Sequence, residues 1–293
     1  MTEKVVLFGK AKSLVGIVTE PASGTSSNNF PAIIILNAGL LHRIGPNRLH
    51  VAIARKMATA GFFVLRFDFS GIGDSSVRGD NLPFEKSSIS ETQEAMYYLS
   101  SSRGIGKFIL VGVCSGANVA FKTACGDQRV VGIVGINGSY SDPEELEGLD
   151  QHIKSSVQSR YYRKHLFNYR SWWRVITGKS NLQSIIRFLL TKTKNLLTQI
   201  EQVVSKTSSS QEWYLLAEHE TDIFLIYSEG SAALDTFCFT LENHLSGLKS
   251  SGKLSVEVIE NSDHVFTLLW SQNALIDFIR QWARDGHRGW MTV

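Results

Sequence analysis

The chain has 293 residues, of which 43% are hydrophobic and 19% are charged, and its formal net charge is +3. These proportions exclude a disordered or fibrous protein and fit one globular domain that carries an insertion. The three cysteines, Cys114, Cys125 and Cys238, are far apart, which argues against a disulfide framework. The sequence contains no apolar run of the roughly 20 residues that a membrane span needs, and its first residues lack a signal-peptide layout. We therefore expect a cytoplasmic protein without a transmembrane segment.

Positive charge is concentrated in one part of the chain. Residues 151–220 contain 11 Lys or Arg and 4 Asp or Glu, a net charge of +7, so the remaining residues carry −4. All five prolines precede this segment. We interpret residues 139–221 as an inserted helical cap or lid, and residues 1–138 and 222–293 as the core domain.

Strand and helix patterns alternate along the predicted core. Strands are expected where short runs are β-branched or continuously apolar, as in a sheet buried on both faces. The predicted strands are, in chain order, Lys4–Gly9, Leu14–Glu20, Pro31–Asn37, Phe62–Phe69, Lys107–Val113, Val130–Ile136, Ile223–Ser228 and Leu254–Glu260. Helices are predicted between the later strands, one of them opened by a capping box at Ser88 and Glu91. This alternation predicts an α/β fold with a mainly parallel, doubly wound sheet of about eight strands.

The turn after the fifth predicted strand has the form glycine–x–nucleophile–x–glycine. It spans Gly112-Val113-Cys114-Ser115-Gly116 and joins a buried strand directly to a helix, as a nucleophile elbow does. Side chains two positions before and after the central residue would collide in such a turn, and glycine avoids this. The spacing makes Cys114 the candidate nucleophile and the backbone N–H of Ser115 a candidate oxyanion donor. The alternatives are a structural cysteine and a phosphate-binding turn.

His264 is the candidate base. It follows the last predicted strand, at the carboxyl edge where open α/β sheets place their sites. A neutral imidazole at this edge can take the proton of a thiol. The alternative is an ordinary loop histidine.

The cysteine elbow, the later histidine and the order of strands and helices resemble the α/β-hydrolase superfamily. Residues 65–75 (LRFDFSGIGDS) are similar to the RxDxxGxGxS segment of serine-aminopeptidase-like and lysophospholipase-like members. The resemblance implies hydrolysis or transfer of an acyl group without a cofactor or a metal, and it implies that Asp68 and Asp74 brace loops. Cysteine in place of serine is similar to dienelactone-hydrolase-like members. A thiolate exchanges acyl groups with thioesters at little energetic cost, so ester or thioester chemistry is favoured over amide cleavage.

The resemblance also implies an acid after the seventh strand, but Ser231 stands at its expected position. Asp235 is the first candidate for this acid. Glu229, Asp142 and a Cys–His dyad without an acid are the alternatives.

The loop after the third strand supplies the second oxyanion donor in such proteins, which here implies the backbone N–H of Gly39 or Leu40. Asn37 replaces the usual histidine of this loop. His42 and Arg43 follow closely and are candidate substrate-binding residues, because a guanidinium can hold a carboxylate or a phosphate. Capping of a helix or a surface ion pair is the alternative role for Arg43.

These features favour an enzyme that acts on a small-molecule ester or thioester through an acyl-cysteine. An acyltransferase or cyclase that uses the same intermediate is the alternative, as is a non-catalytic binding protein on a hydrolase scaffold. The basic, aromatic insertion could pack as a lid, or it could receive an acyl carrier protein, coenzyme A or an anionic membrane surface. Nothing in the sequence matches a nucleic-acid-binding fold.

Overall fold

A computed structural model describes residues 1–22, 30–140, 209–242 and 245–285 of the chain. Its centre is one eight-stranded sheet with the strand order β1-β2-β4-β3-β5-β6-β7-β8. The bounds of the strands are β1 Thr2–Phe8, β2 Leu14–Glu20, β3 Ala32–Leu36, β4 Val64–Phe67, β5 Phe108–Val113, β6 Val130–Ile136, β7 Asp222–Ser228 and β8 Leu254–Ile259. All eight predicted strands are therefore present, with ends that differ by a few residues.

The sheet is mainly parallel, as predicted. β1 runs antiparallel to β2, and β2 runs antiparallel to β4. From β4 to β8 every neighbouring pair is parallel. The carboxyl ends of these six strands therefore lie along one edge of the sheet, which is where the predicted site residues should meet.

Helices cover both faces of the sheet. Their bounds are α1 Leu49–Thr59, α2 Phe84–Arg103, α3 Ser115–Gly126, α4 Ser209–Glu218, α5 Ala232–Thr240, α6 Ser246–Ser250 and α7 Leu269–Asp285. Helices α1 and α7 contribute to one apolar layer, and the apolar layer on the opposite face includes side chains of α2 through α6. The fold is doubly wound for this reason.

Strand β3 shows why the central strands are continuously apolar. All five of its residues are buried, and Ile33 and Ile35 pack in one layer while Ile34 and Leu36 pack in the other. Full burial of such a side chain stabilises a fold by about 1.5 to 3 kcal/mol. A strand between two helical layers gains this on both faces, which explains the absence of polar alternation.

The predicted lid, residues 139–221, lies mostly outside the described residues. Helix α4, which lies near the carboxyl end of the predicted lid, is described and packs against α3. The ring centroid of Trp213 lies 4.5 Å from that of Phe121. Tyr140 also contacts Trp213, at 5.1 Å between ring centroids. The boundaries and the function of a lid stay predictions.

Candidate active site

The backbone of Cys114 has the geometry of a nucleophile elbow. Its φ of 56° and ψ of −118° lie in a region that side-chain-bearing residues rarely adopt. A Cβ at Gly112 would lie 2.1 Å from the backbone of Gly116, and a Cβ at Gly116 would lie 2.5 Å from the carbonyl oxygen of Asn37. Only glycine fits at either position, so the predicted role of the two glycines is explained by direct backbone contact.

Cys114 is also the most accessible of the three cysteines. All three are free thiols, and Cys114 is exposed whereas Cys125 and Cys238 are half-buried. Burial and, to a smaller extent, the nearby charge of Glu212 raise the pKa of Cys125 to about 12. Because the thiolate is the reactive form, Cys125 is a poor nucleophile at neutral pH.

His264 lies in the exposed loop between β8 and α7. Two hydrogen bonds at the end of β6 relate it to the elbow. The N–H of Cys114 donates to the carbonyl of Ile136 (2.8 Å), and the side chain of the next residue, Asn137, donates to the carbonyl of His264 (2.8 Å). The backbones of the candidate nucleophile and the candidate base are therefore hydrogen-bonded to two consecutive residues, Ile136 and Asn137.

The candidate acids are in different environments. Asp235 is 1% exposed and lies in the first turn of α5. Ser231, at the position where the acid was expected, is the N-cap of α5 and accepts a hydrogen bond from the N–H of Leu234. Glu229 is exposed and accepts a hydrogen bond of 2.8 Å from the N–H of Asn261, three residues before His264. Asp142 lies outside the described residues.

The oxyanion loop, which we define as residues 37–41, contacts the elbow directly. The N–H of Gly39 donates to Oγ of Ser115 at 2.9 Å. Leu40 follows at the tip of the loop with 90% of its surface exposed, and the N–H of Leu41 closes a turn by donating to the carbonyl of Ala38. Of the two predicted donors from this loop, Gly39 is thus engaged by a side chain, whereas the N–H of Leu40 makes no hydrogen bond within the described part of the chain.

Arg43 is held by two carboxylates. Its guanidinium bonds to Asp68 and to Asp74, and its backbone N–H donates to Asp68 at 2.5 Å. Burial alone would lower the pKa of Arg43, but the hydrogen bonds to Asp74 and Asp68 raise it. This arrangement matches the ion-pair alternative for Arg43 and the bracing role expected of both aspartates. His42, beside it, is exposed and accepts the N–H of Gly45 with its carbonyl.

The comparisons with known proteins agree on the fold. A family model described as the alpha/beta hydrolase fold matches residues 31–172. The chain is an α/β-hydrolase-fold protein. No curated protein sequence matches it. Among solved structures, an esterase from Pyrococcus furiosus is 14% identical, with a TM-score of 0.59 over 97% of this chain and 90% of the esterase.

Two further solved structures have the same α/β-hydrolase fold. A dienelactone hydrolase from Anabaena variabilis is 12% identical, with a TM-score of 0.58 over 96% of each chain. An alpha-beta serine hydrolase homologue from Coxiella burnetii is 14% identical, with a TM-score of 0.54 over 96% of this chain and 97% of the homologue. At these identities the likeness concerns the fold.

Two buried asparagines, neither of them predicted as a site residue, support the loops of this α/β-hydrolase fold. Asn37 follows β3; it donates to the carbonyl of Leu41 and accepts the N–H of Phe69. Asn137 follows β6, and besides bonding the loop of His264 it accepts the N–H of Ser228 at the end of β7. Their signal in the sequence is a single amide side chain directly after a wholly apolar strand.

The described parts of the α/β-hydrolase fold contain no group of three or more His, Cys, Asp or Glu side chains that could hold a metal ion. None of the described helices combines the length and the apolar character that a membrane crossing requires.

Proposed function

We propose that this chain hydrolyses an ester or a thioester through a covalent acyl-cysteine on Cys114. The observation that carries the proposal is the backbone of Cys114, which holds an exposed thiol at the start of α3 with a φ of 56°. An unfavourable backbone conformation at an exposed reactive side chain is characteristic of functional sites. The esterase and the dienelactone hydrolase that share the fold support the same class of reaction.

In the proposed first step, Sγ of Cys114 attacks the acyl carbonyl and forms a C–S bond, while the carbonyl electrons move to the oxygen. The N–H groups of Ser115 and Leu40 stabilise this oxyanion. His264 takes the thiol proton and transfers it to the departing oxygen or sulfur, whose bond to the acyl carbon breaks. Water then attacks the acyl-cysteine with His264 as the base, which releases the acid and restores the thiol.

Exposed apolar side chains near the site support an apolar acyl group. Leu40 and Leu41 are 90% and 46% exposed in the oxyanion loop. Leu268, Leu269 and Trp270, which follow the loop of His264, are 53%, 72% and 47% exposed. A hydrogen bond of 3.4 Å joins the side chain of Asn47, which follows the oxyanion loop by a few residues, to that of Thr267, which directly precedes Leu268. An acyl chain lying across these residues would remove apolar surface from water.

Two alternatives use the same geometry. If an alcohol or amine replaces water in the second step, the enzyme is an acyltransferase or a cyclase. The second alternative is a non-catalytic binding protein on a hydrolase scaffold, and it is favoured by Ser231, which caps α5 at the position where an acid was expected. The basic segment lies mostly outside the described residues, so an acyl carrier protein or coenzyme A as acyl donor and contact with an anionic membrane stay predictions. A cytoplasmic location also stays a prediction.

The decisive experiment is mass spectrometry of the intact protein after reaction with p-nitrophenyl esters and acyl thioesters. Wild type should gain one acyl group and turn over, and Cys114→Ala should do neither. Cys125→Ala is the matched control, since this half-buried thiol should leave both unchanged. Wild type that shows neither an adduct nor turnover would leave only the binding-protein alternative, and a fully active Cys114→Ala would move the nucleophile elsewhere.

The acid is tested in the same assay. We expect turnover to differ among the variants Asp235→Asn, Glu229→Gln and Asp142→Asn. Neutralising the carboxylate that orients His264 should lower turnover about tenfold or more. Asp235 is our first choice. Three variants with wild-type rates would indicate a Cys–His dyad.

A further inference from the structure

The hydroxyl of Ser115 contacts the backbone N–H of Gly39, which the resemblance to α/β hydrolases implies as an oxyanion donor. Ser115 is half-buried, directly follows Cys114, and accepts the N–H of Gly39 at 2.9 Å. This contact uses the N–H of Gly39, one of the two predicted oxyanion donors of the loop. The hydroxyl therefore takes the place at the Gly39 N–H that a substrate oxygen would otherwise occupy.

A serine hydroxyl has one proton to donate and two lone pairs that accept. At Ser115 one lone pair is engaged by Gly39, and the O–H has no acceptor among the described residues. A hydroxyl that accepts a hydrogen bond becomes a better donor, because the two bonds polarise each other. Because Ser115 directly follows Cys114, this O–H is available to an acyl group bound to the thiol.

The oxyanion loop is held from both sides in this position. Asn37 donates to the carbonyl of Leu41 at 2.8 Å, and Ser115 holds Gly39. Gly39 has a φ of 56°, and a Cβ there would meet nothing within 4 Å. Glycine at this position is thus explained by the backbone conformation that brings its N–H to Ser115.

We propose that the hydroxyl of Ser115 is itself a catalytic oxyanion donor. The N–H of Gly39 donates to Oγ, and Oγ–H donates to the developing oxyanion of the acyl group on Cys114. The hydroxyl moves no proton and forms no covalent bond; it adds a donor beside the N–H groups of Ser115 and Leu40. The inference rests on the proposed acyl-cysteine chemistry at Cys114.

Two reactions of the same thiol separate this role from a structural one. Acylation by p-nitrophenyl butyrate builds an oxyanion, whereas alkylation by iodoacetamide displaces iodide at a saturated carbon and builds none. Ser115→Ala should lower the acylation rate of Cys114 about 100-fold, as the loss of one oxyanion donor does elsewhere. The alkylation rate should stay within about twofold, since the thiol and the elbow are intact. Ser115→Thr keeps the hydroxyl and should regain most of the acylation rate.

Three outcomes would overturn the inference. Ser115→Ala that acylates as fast as wild type, or faster, would show that the hydroxyl only occupies the N–H of Gly39. Alkylation that falls in parallel with acylation in both variants would assign Ser115 a structural role. Wild type that alkylates but never acylates would contradict the proposed function itself, and this result is distinct from the other two.

Discussion

The loops on the two sides of Cys114 are held by different kinds of interaction. On the oxyanion side, Asp68 is fully buried and accepts hydrogen bonds from Asn37, from Asp74 and from Arg43, which bonds it with both backbone and guanidinium. On the histidine side, the bonds that hold the loops are made mostly with main-chain atoms, through Asn137 and the exposed Glu229.

This difference indicates a division of tasks. Hydrogen bonds to a buried charge are stronger than neutral ones and are costly to break. The oxyanion side is therefore built as a rigid part of the fold, and its variants should lose stability. On the histidine side, Asn137 is neutral and the carboxylate of Glu229 is exposed, so variants that remove their bonds should lose activity with a smaller loss of stability. Three predictions test this contrast.

The largest effect is expected for Asp68→Asn. The substitution keeps the shape of the side chain but leaves the guanidinium of Arg43, whose side chain is 15% exposed, without its buried partner. Breaking a buried pair in this way costs about 3 to 5 kcal/mol of unfolding free energy, which denaturant titration measures. Asp74→Asn is the matched control, because that side chain is 66% exposed and should cost less than about 1 kcal/mol. Equal losses for the two variants would show that the burial of Asp68 is not what stabilises the oxyanion side.

A second effect should appear in acid, at His50 on α1. Burial, and then the charge of Arg66, lowers the pKa of His50 from 6.5 to about 4. As the pH falls through this range the unfolded chain binds the proton first, so the folded state has its full stability above pH 6.5 and loses it toward pH 4. The expected loss is about 3 kcal/mol.

His50→Leu should flatten that part of the stability profile, measured by denaturant titration at a series of pH values. The difference between the two slopes isolates His50 from the carboxylates that also titrate. If the variant and wild type have parallel profiles, the acid sensitivity of the oxyanion side has another origin. His50 belongs to that side because its N–H donates to the carbonyl of Ile44 and its ring packs against Gly45.

The smallest loss of stability, about 2 kcal/mol, is expected for Asn137→Gly. Glycine accepts the φ of 50° at this position, so the variant removes only the bonds to Ser228 and His264. Acyl turnover should nevertheless fall about tenfold or more, because His264, the proposed base, is no longer positioned. Ser228→Ala, which removes only a hydroxyl bond of 3.3 Å, should leave turnover near that of wild type. Unchanged turnover in Asn137→Gly would remove the distinction between the two sides.

The strands and the elbow could be predicted from sequence because each is set by local rules. A continuously apolar strand and a glycine pair around Cys114 have few alternative structures. The prediction of a capping box at Ser88 and Glu91 is wrong. Helix α2 begins at Phe84, and Glu91 instead bonds the N–H of Ser70 and the guanidinium of Arg78.

Long-range contacts explain the other features that sequence reasoning did not find. Asn137 acts on Ser228 and His264, which are 91 and 127 residues away along the chain. The engagement of Gly39 by Ser115 spans 76 residues. No local pattern encodes such pairs, so they become visible only when the strand order brings the carboxyl ends of β3, β5, β6, β7 and β8 together.

The close approach of Gly112 and Gly116 has a consequence for how such proteins evolve. These glycines, and not the side chain between them, permit the backbone conformation of Cys114. An exchange of sulfur for oxygen at that position therefore alters the chemistry without requiring any rebuilding of the scaffold. A single codon change is therefore enough to exchange a cysteine nucleophile for a serine in this architecture, or the reverse. A substitution at either glycine would disrupt the elbow for both nucleophiles.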